Sequence, residues 1–199
     1  MNAKQIILSR LGGHRTPPAE YPRPAIRTQH FDDPVQAFID ALRTAGGEAL
    51  FAKDTASLDA EIIRTFDDPA NIIDTRTPIS PSREALERCD LAIVEAAFGV
   101  AENGAVWIDP AERYPRALLT LARSLAILLP GGAIVPTMHE AYERLDFDEL
   151  AYGLFMAGPS KTADIEQALV LGAHGAMTLK VFLTPVSGQP DFISPKEKQ

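Results

Sequence analysis

The segment Gly158-Pro159-Ser160-Lys161-Thr162-Ala163-Asp164-Ile165-Glu166 holds the densest set of ligand-binding residue types in the chain. It follows an apolar stretch, Gly153 to Ala157, and reads as the opening of a helix that runs from Ser160 to Leu171. A helix start presents free backbone N–H groups and the positive end of the peptide dipoles, which together favour a carboxylate or phosphate. Ser160, Lys161 and Thr162 add two hydroxyls and a mobile cation, and Gly158 and Asp164 complete the candidate ligand-binding set. The plainer alternative is a cap, in which Ser160 or Thr162 satisfies the helix start and Asp164 and Glu166 complement the dipole. A phosphate-cradling Walker loop is excluded, because that motif needs glycines where Phe155 and Ser160 stand.

Two further residues are candidate catalytic groups. In Phe98-Gly99-Val100-Ala101-Glu102-Asn103-Gly104 a carboxylate sits between glycines at a strand end, where desolvation would suit Glu102 to acid–base or nucleophilic work. Gly99 would let a ligand approach the backbone closely. The alternative is a hairpin whose Asn103-Gly104 makes a type I′ turn and leaves Glu102 in solvent. In Ala173-His174-Gly175 the glycines expose an imidazole, so His174 is either an acid, base or anion ligand or a hydrogen-bonded loop residue. With a helix between them, Ser160 and His174 are expected roughly 15–18 Å apart, beyond the reach of one small ligand in one subunit. No metal is expected: His139-Glu140 lacks the second histidine of a zincin motif, and His14 and His30 lie in a separate arm.

The elements that must position these residues alternate. Asp33-Pro34 opens a helix with Val35, Phe38, Ile39 and Leu42 on one face, ended by Gly46-Gly47. Strands follow at Glu48–Ala52, Asn71–Asp74, Asp90–Ala97, Ala105–Ile108, Ser124–Leu129, Ala133–Val135, Gly153–Ala157 and Thr178–Thr184, with helices at Thr55–Phe66, Pro81–Arg88 and from Thr137 to Leu145. Asp109 to Arg116 is a polar excursion with no assigned role. Repeated strand–helix–strand units predict an α/β fold with a mostly parallel sheet and helices on both faces, whose ligands collect at the carboxyl ends of the strands. The predicted organisation is an N-terminal helix and Pro-rich arm over 1–32, one α/β domain over 33–186, and a polar tail over 187–199.

Composition narrows the partners. A formal net charge of −8 without a basic stripe argues against nucleic acid. Cys89 is the only cysteine, so this chain holds no intrachain disulfide and no iron–sulfur cluster on its own thiolates. No cofactor is expected on it. The longest apolar stretch, Ala117 to Pro130, is broken by Arg123 and Ser124, so no membrane span is expected; Met1 to Arg10 lacks the apolar region of a signal peptide, and a cytoplasmic location is the expectation.

Three segments carry a resemblance to a known family: Ala97 to Gly104, Ile134-Val135-Pro136-Thr137-Met138, and Gly158 to Glu166 continued by Gly172-Ala173-His174-Gly175. Over Leu91 to Leu183 the chain resembles the LUD-domain family, the lactate-utilisation protein C group. The resemblance implies a fold like that of sugar-phosphate isomerases, CoA transferases and folate cyclo-ligases (NagB/RpiA/CoA transferase-like). It also implies a role with iron–sulfur partner proteins in oxidising L-lactate to pyruvate. Asn103 departs from the usual Thr and makes the loop similar to the Glu-Asn-Gly segment of CoA transferases, whose Glu is the nucleophile; the resemblance thereby implies a catalytic Glu102. Three readings stand at this level: a lactate-utilisation component binding a small anionic metabolite, a CoA/acyl-transferase-like or cyclo-ligase-like enzyme using Glu102, and a non-catalytic assembly subunit. A homo-oligomer is compatible with each.

Overall fold

The computed structural model describes residues 3–12, 29–110, 113–147, 152–162, 170–172 and 174–185. In chain order the elements are α1 (Ala3–Gly12), α2 (Pro34–Thr44), β1 (Glu48–Phe51), α3 (Leu58–Thr65), β2 (Ile72–Asp74), α4 (Arg83–Glu87), β3 (Leu91–Glu95), β4 (Phe98–Val100), β5 (Ala105–Ile108), α5 (Leu118–Leu121), β6 (Ser124–Pro130), β7 (Ile134–Val135), α6 (Met138–Glu143), β8 (Leu154–Met156), β9 (Lys161–Thr162), β10 (Val170–Leu171) and β11 (Thr178–Thr184). Local chemistry sets several of the helix starts. Asp33 accepts a hydrogen bond from the Gln36 amide, with Pro34 in the first turn where its missing N–H costs nothing. Ser82 and Thr137 cap α4 and α6 in the same way.

Five strands form one sheet in the order β1-β11-β6-β3-β2, and every neighbouring pair is parallel. A parallel sheet needs cover on both faces, and the alternation along each strand supplies it. Leu91, Ile93, Ala126, Leu128 and Phe182 meet Leu58 and Ile62 of α3 on one side. Ala92, Val94, Leu125, Ile127, Val181 and Leu183 meet α2 (Phe38, Ile39, Leu42), α4 (Leu86) and α5 (Leu118, Leu119) on the other.

A second sheet, β7-β4-β5-β8, is mixed: β4 pairs parallel with β7 and antiparallel with β5, and β5 is antiparallel to β8. Val106 and Ile108 join the core beneath α2, whereas Phe98, Val100 and Trp107 pack with Val135 and Ala141 on the opposite face. α2 is thus the shared layer: a side chain at Gly99 would run into Phe38, and one at Gly104 would meet the backbone of Ala41 and Leu42. The mostly parallel sheet with helices on both faces is as expected from the sequence. The short α5 falls where no element was assigned, just after the polar excursion.

The largest correction concerns the segment after Pro159. Lys161–Thr162 is a short strand paired antiparallel with Val170–Leu171, not the first turn of a helix. Residues 163–169, Asp164 among them, lie outside the described residues. Among the described residues no helix is long and apolar enough to cross a membrane.

Gly104 lies at φ +69°, and a Cβ there would stand 2.3 Å from the Leu42 amide nitrogen. Strain in the left-handed region and overpacking each cost about 1–3 kcal/mol. Gly104→Ala is therefore expected to lose at least about 2 kcal/mol in urea unfolding, and a change below about 0.5 kcal/mol would mean that α2 and the β4–β5 turn are not in contact.

Candidate active site

Because the five strands of the main sheet share one direction, their carboxyl ends share one edge. Along it Glu95 ends β3, Pro130 ends β6 and Thr184 ends β11, while Thr55 and Leu58 follow β1 and Arg76 follows β2. From the second sheet, the excursion after β5 brings Asp109 and Arg113 to the same edge. These residues, with Ala96, Ala97 and Leu128, line a cavity of about 510 Å³. That volume lies within the range of small-molecule sites.

The polar wall of the cavity is built from two guanidinium groups and their partners. Arg76 Nε donates to both oxygens of Asp74 at 3.0 and 2.9 Å, and its Nη1 donates to Asp59 at 2.7 Å. Its Nη2 also bonds Asp74. Burial works to raise the Asp74 carboxyl, but the hydrogen bonds and charge of Arg76 outweigh it and hold the group below the usual carboxylate range. A carboxyl depressed in this way adds stability above its unfolded value and loses it as the pH falls through the folded one.

Arg113 Nη2 donates to the carbonyls of Thr75 and Arg76, at 3.1 and 3.0 Å, and to Glu95 Oε2 at 2.8 Å. Its own carbonyl accepts from the Ile79 amide at 2.7 Å, which ties the excursion to the loop after β2. All the side-chain bonds made by Arg113 among the described residues run through Nη2. The side chain is 39% exposed, so the rest of its fork is open to a ligand.

Next to it stands Tyr114, only 6% exposed, whose hydroxyl has no hydrogen-bond partner among the described residues. Burial, with smaller effects from Asp109, Glu95 and Tyr152 and against that of Arg113, pushes its phenol up to about 12.

The sequence-predicted site residues lie elsewhere. Ser160 donates its amide to the Ala176 carbonyl at 2.8 Å, and its Oγ donates to the His174 carbonyl at 3.0 Å. Ser160 and His174 are therefore neighbours rather than about 15–18 Å apart, because Lys161–Thr162 pairs antiparallel with Val170–Leu171 and brings the flanking residues together. The Ser160 amide, expected to be free for a ligand, is spent on Ala176. Ala176 precedes β11, so this cluster sits at the amino ends of the parallel strands, opposite the cavity.

Lys161 points to the same end, its Nζ lying over Gly46 at the end of α2, and Gly158 packs on the Ala45 carbonyl at φ +73°. Thr162 is a strand residue.

Glu102 occupies a four-residue hairpin turn closed by Val100 and Ala105. Asn103 keeps a negative φ, so the turn is not type I′; its Oδ1 accepts from the Ala105 amide at 3.0 Å. Glu102 is exposed but not idle: its Oε2 accepts from the Met138 amide at 2.8 Å, tying the hairpin to the first turn of α6. Gly99 is buried against Phe38 and Leu129 inside β4. None of these residues lines the carboxyl-edge cavity.

Arg76, Glu95, Asp109 and Arg113 went unassigned in the sequence. The signal that could have found them is the strand-end rule itself, applied to the residues that follow β2, β3 and β5. Among the described residues no three His, Cys, Asp or Glu side chains gather as a metal-ligand set.

An orphaned buried hydroxyl costs about 1–3 kcal/mol. Tyr114→Phe is accordingly expected to stabilise the protein by about 1 kcal/mol at neutral pH. A phenol raised in the folded state favours folding below its unfolded value near 10 and loses that contribution as the pH climbs through about 12. Alkaline unfolding between pH 10 and 12 should be blunted in the variant; equal or lower stability would show that the hydroxyl has a partner.

Comparison with known proteins places this geometry in a family. The LUD domain model matches residues 59–184. Lactate utilization protein C of Geobacillus kaustophilus is 31% identical over 100 residues, a match covering 47% of this chain and 42% of that protein. The protein of the same name from Bacillus velezensis is 26% identical over 172 residues, covering 75% of this chain and 69% of its relative. The stretch shared with the first of these is thus about two fifths of the relative's length. Among solved structures, a DUF162 family protein from Deinococcus radiodurans superposes with a TM-score of 0.59 at 18% identity, covering 76% of this chain and 96% of that one, and so shares the fold. With the LUD model spanning more than half of the residues, from α3 to the end of β11, the chain belongs to the LUD-domain family.

Proposed function

We propose that this chain is a lactate-utilisation protein C-like component that binds a small hydroxy- or oxo-carboxylate in the carboxyl-edge cavity, with Arg113 as the anion-binding residue. The observation that carries the reading is a half-exposed guanidinium held rigidly on two backbone carbonyls and Glu95, its remaining N–H groups unspent among the described residues. Planar, bidentate donation of that kind matches a carboxylate. The names of the relatives supply the pathway: lactate utilisation.

Charge selects between carboxylate and phosphate. Around the cavity stand Asp59, Asp74, Glu95 and Asp109 against Arg76 and Arg113, a local excess of negative charge that disfavours a dianion. A monoanion carrying a hydroxyl suits it better, since the hydroxyl can donate to Glu95. Thr55 and Thr184 offer two further hydroxyls at the rim.

Oxidising a hydroxy acid also requires an electron acceptor. One cysteine cannot provide the thiolates of a cluster, so the reading assigns that chemistry to iron–sulfur partner proteins, with this chain holding or handing over the acid. Glu102, bonded to the Met138 amide, and Ser160, bonded to Ala176 and His174, act as scaffold in this account.

Calorimetric titration with L-lactate, pyruvate and inorganic phosphate tests the proposal. L-lactate or pyruvate should bind and phosphate should not. Arg113→Gln should weaken binding by about 10–100-fold, the worth of a charge-assisted hydrogen bond of roughly 1.5–3 kcal/mol. Unaltered affinity in that variant, with its circular dichroism intact, would remove Arg113 from the site.

A further inference from the structure

A second cavity, of about 560 Å³, opens at the amino ends of the same parallel strands. Its walls come from the end of α3 and the loop after it (Phe66, Asp67) and from the starts of β6 and β11 (Arg123, Ser124, Thr178, Lys180). Most of its charged groups are committed. Lys180 Nζ bonds Glu48 at 2.9 Å and lies 5.5 Å from the Phe66 ring centre, and Asp90 Oδ2 accepts twice from Asn71. Among the described residues the Asp67 side chain makes neither a hydrogen bond nor an ion pair, and Arg123 makes neither but stands close enough to Asp90 for its charge to help hold that carboxyl down.

Asp67 also holds a left-handed backbone conformation that few non-glycine residues adopt, aspartate being among those that tolerate it. It follows the last residues of α3 at φ +55°, and Asp68 follows at +52°. Helices often end in this left-handed state, but glycine is the residue that adopts it without strain. Asp68 caps the helix by donating its amide to Ile63 at 3.1 Å. Nothing in that cap uses the Asp67 carboxylate, and the residue lines the cavity. Strained non-glycine residues of this kind gather at ligand sites, where the side chain is needed for something other than folding.

We infer that the amino-end cavity is a binding site for a zwitterionic amino acid with an apolar side chain, its ammonium on Asp67 and its carboxylate on Arg123. An isolated anion would meet Asp67 and Asp90, and an isolated cation would meet Arg123 and Lys180. A ligand carrying both charges gives Asp67 an ammonium partner and gives Arg123 a carboxylate besides that of Asp90. The Ser124 and Thr178 hydroxyls stand between the strand starts to hold its polar end, and Phe66, Pro69 and Ala70 give the side chain an apolar wall.

The test titrates the full chain carrying Arg113→Gln, so that the opposite cavity does not take up the hydroxy acid, with L-leucine, L-2-hydroxy-4-methylpentanoate and 3-methylbutylamine, which share one hydrocarbon and differ in charge. L-leucine should bind, the two singly charged analogues at least about 10-fold more weakly. Asp67→Asn tolerates the same backbone conformation without the charge and should abolish saturable binding. Asp67→Gly should do so as well while raising Tm, since it relieves the strain, so lost binding cannot be ascribed to unfolding. Arg123→Gln should also abolish binding, and L-leucine should bind equally well with Arg113 intact at the opposite cavity. Failure of L-leucine to bind, equal binding of a singly charged analogue, or undiminished binding in Asp67→Asn would overturn the assignment.

Discussion

A sheet whose strands all run one way cannot leave a face in water, because its crossovers return along both sides and its strands are apolar on both. That constraint organises the molecule. It places α3 on one side of β3, β6 and β11 and α2, α4 and α5 on the other, and it gathers the strand ends into two unlike rims. The second sheet is tolerated because Val106 and Ile108 extend the core under α2 rather than build a separate one. Where the second sheet closes on this core, Gly99 leaves room for the Phe38 and Leu129 side chains and Gly104 for the backbone of Ala41 and Leu42.

Much of this was legible in the residues. Asp33-Pro34 with Phe38, Ile39 and Leu42 specifies α2, and the doubly apolar Leu91 to Val94 and Thr178 to Thr184 specify β3 and β11, because each signal is local. The segment from Ser160 to Leu171 was misread for the opposite reason. Serine and threonine after a Gly-Pro pair cap helices and begin strands alike, and the deciding partner is Val170–Leu171 together with the Ala176 carbonyl, which no local pattern reveals. Glu102 was located in its turn, but the turn type was not, since the Met138 amide that holds its carboxylate belongs to an element 36 residues away. Arg113 was hidden in a polar stretch whose meaning comes from the carbonyls of Thr75 and Arg76, again distant in sequence. The LUD-domain resemblance identified the family correctly from motifs whose glycines and polar groups pack and hydrogen-bond within the fold.

The two rims differ in how their charges are used. At the carboxyl rim, guanidinium groups are locked into carboxylates and carbonyls, a preorganised arrangement whose ordering cost is met during folding. At the amino rim, Asp67 stands without a side-chain partner among the described residues at a left-handed helix end, and Arg123 is engaged only by the charge of Asp90. The same strands, β6 and β11, supply Pro130 and Thr184 to one rim and Ser124 and Thr178 to the other.

That shared pair of strands limits how the rims can influence one another. β11 lies between β1 and β6 with seven residues in register against β6, and its alternation sends Phe182 to α3 and Val181 and Leu183 to α2. Sliding by one position would turn Phe182 into the wrong layer and bring two smaller residues out to α3. The strands therefore behave as struts rather than pistons. Any signal passing from end to end has to travel by tilting of whole layers, or around the outside through α3, whose start lines one cavity and whose end lines the other.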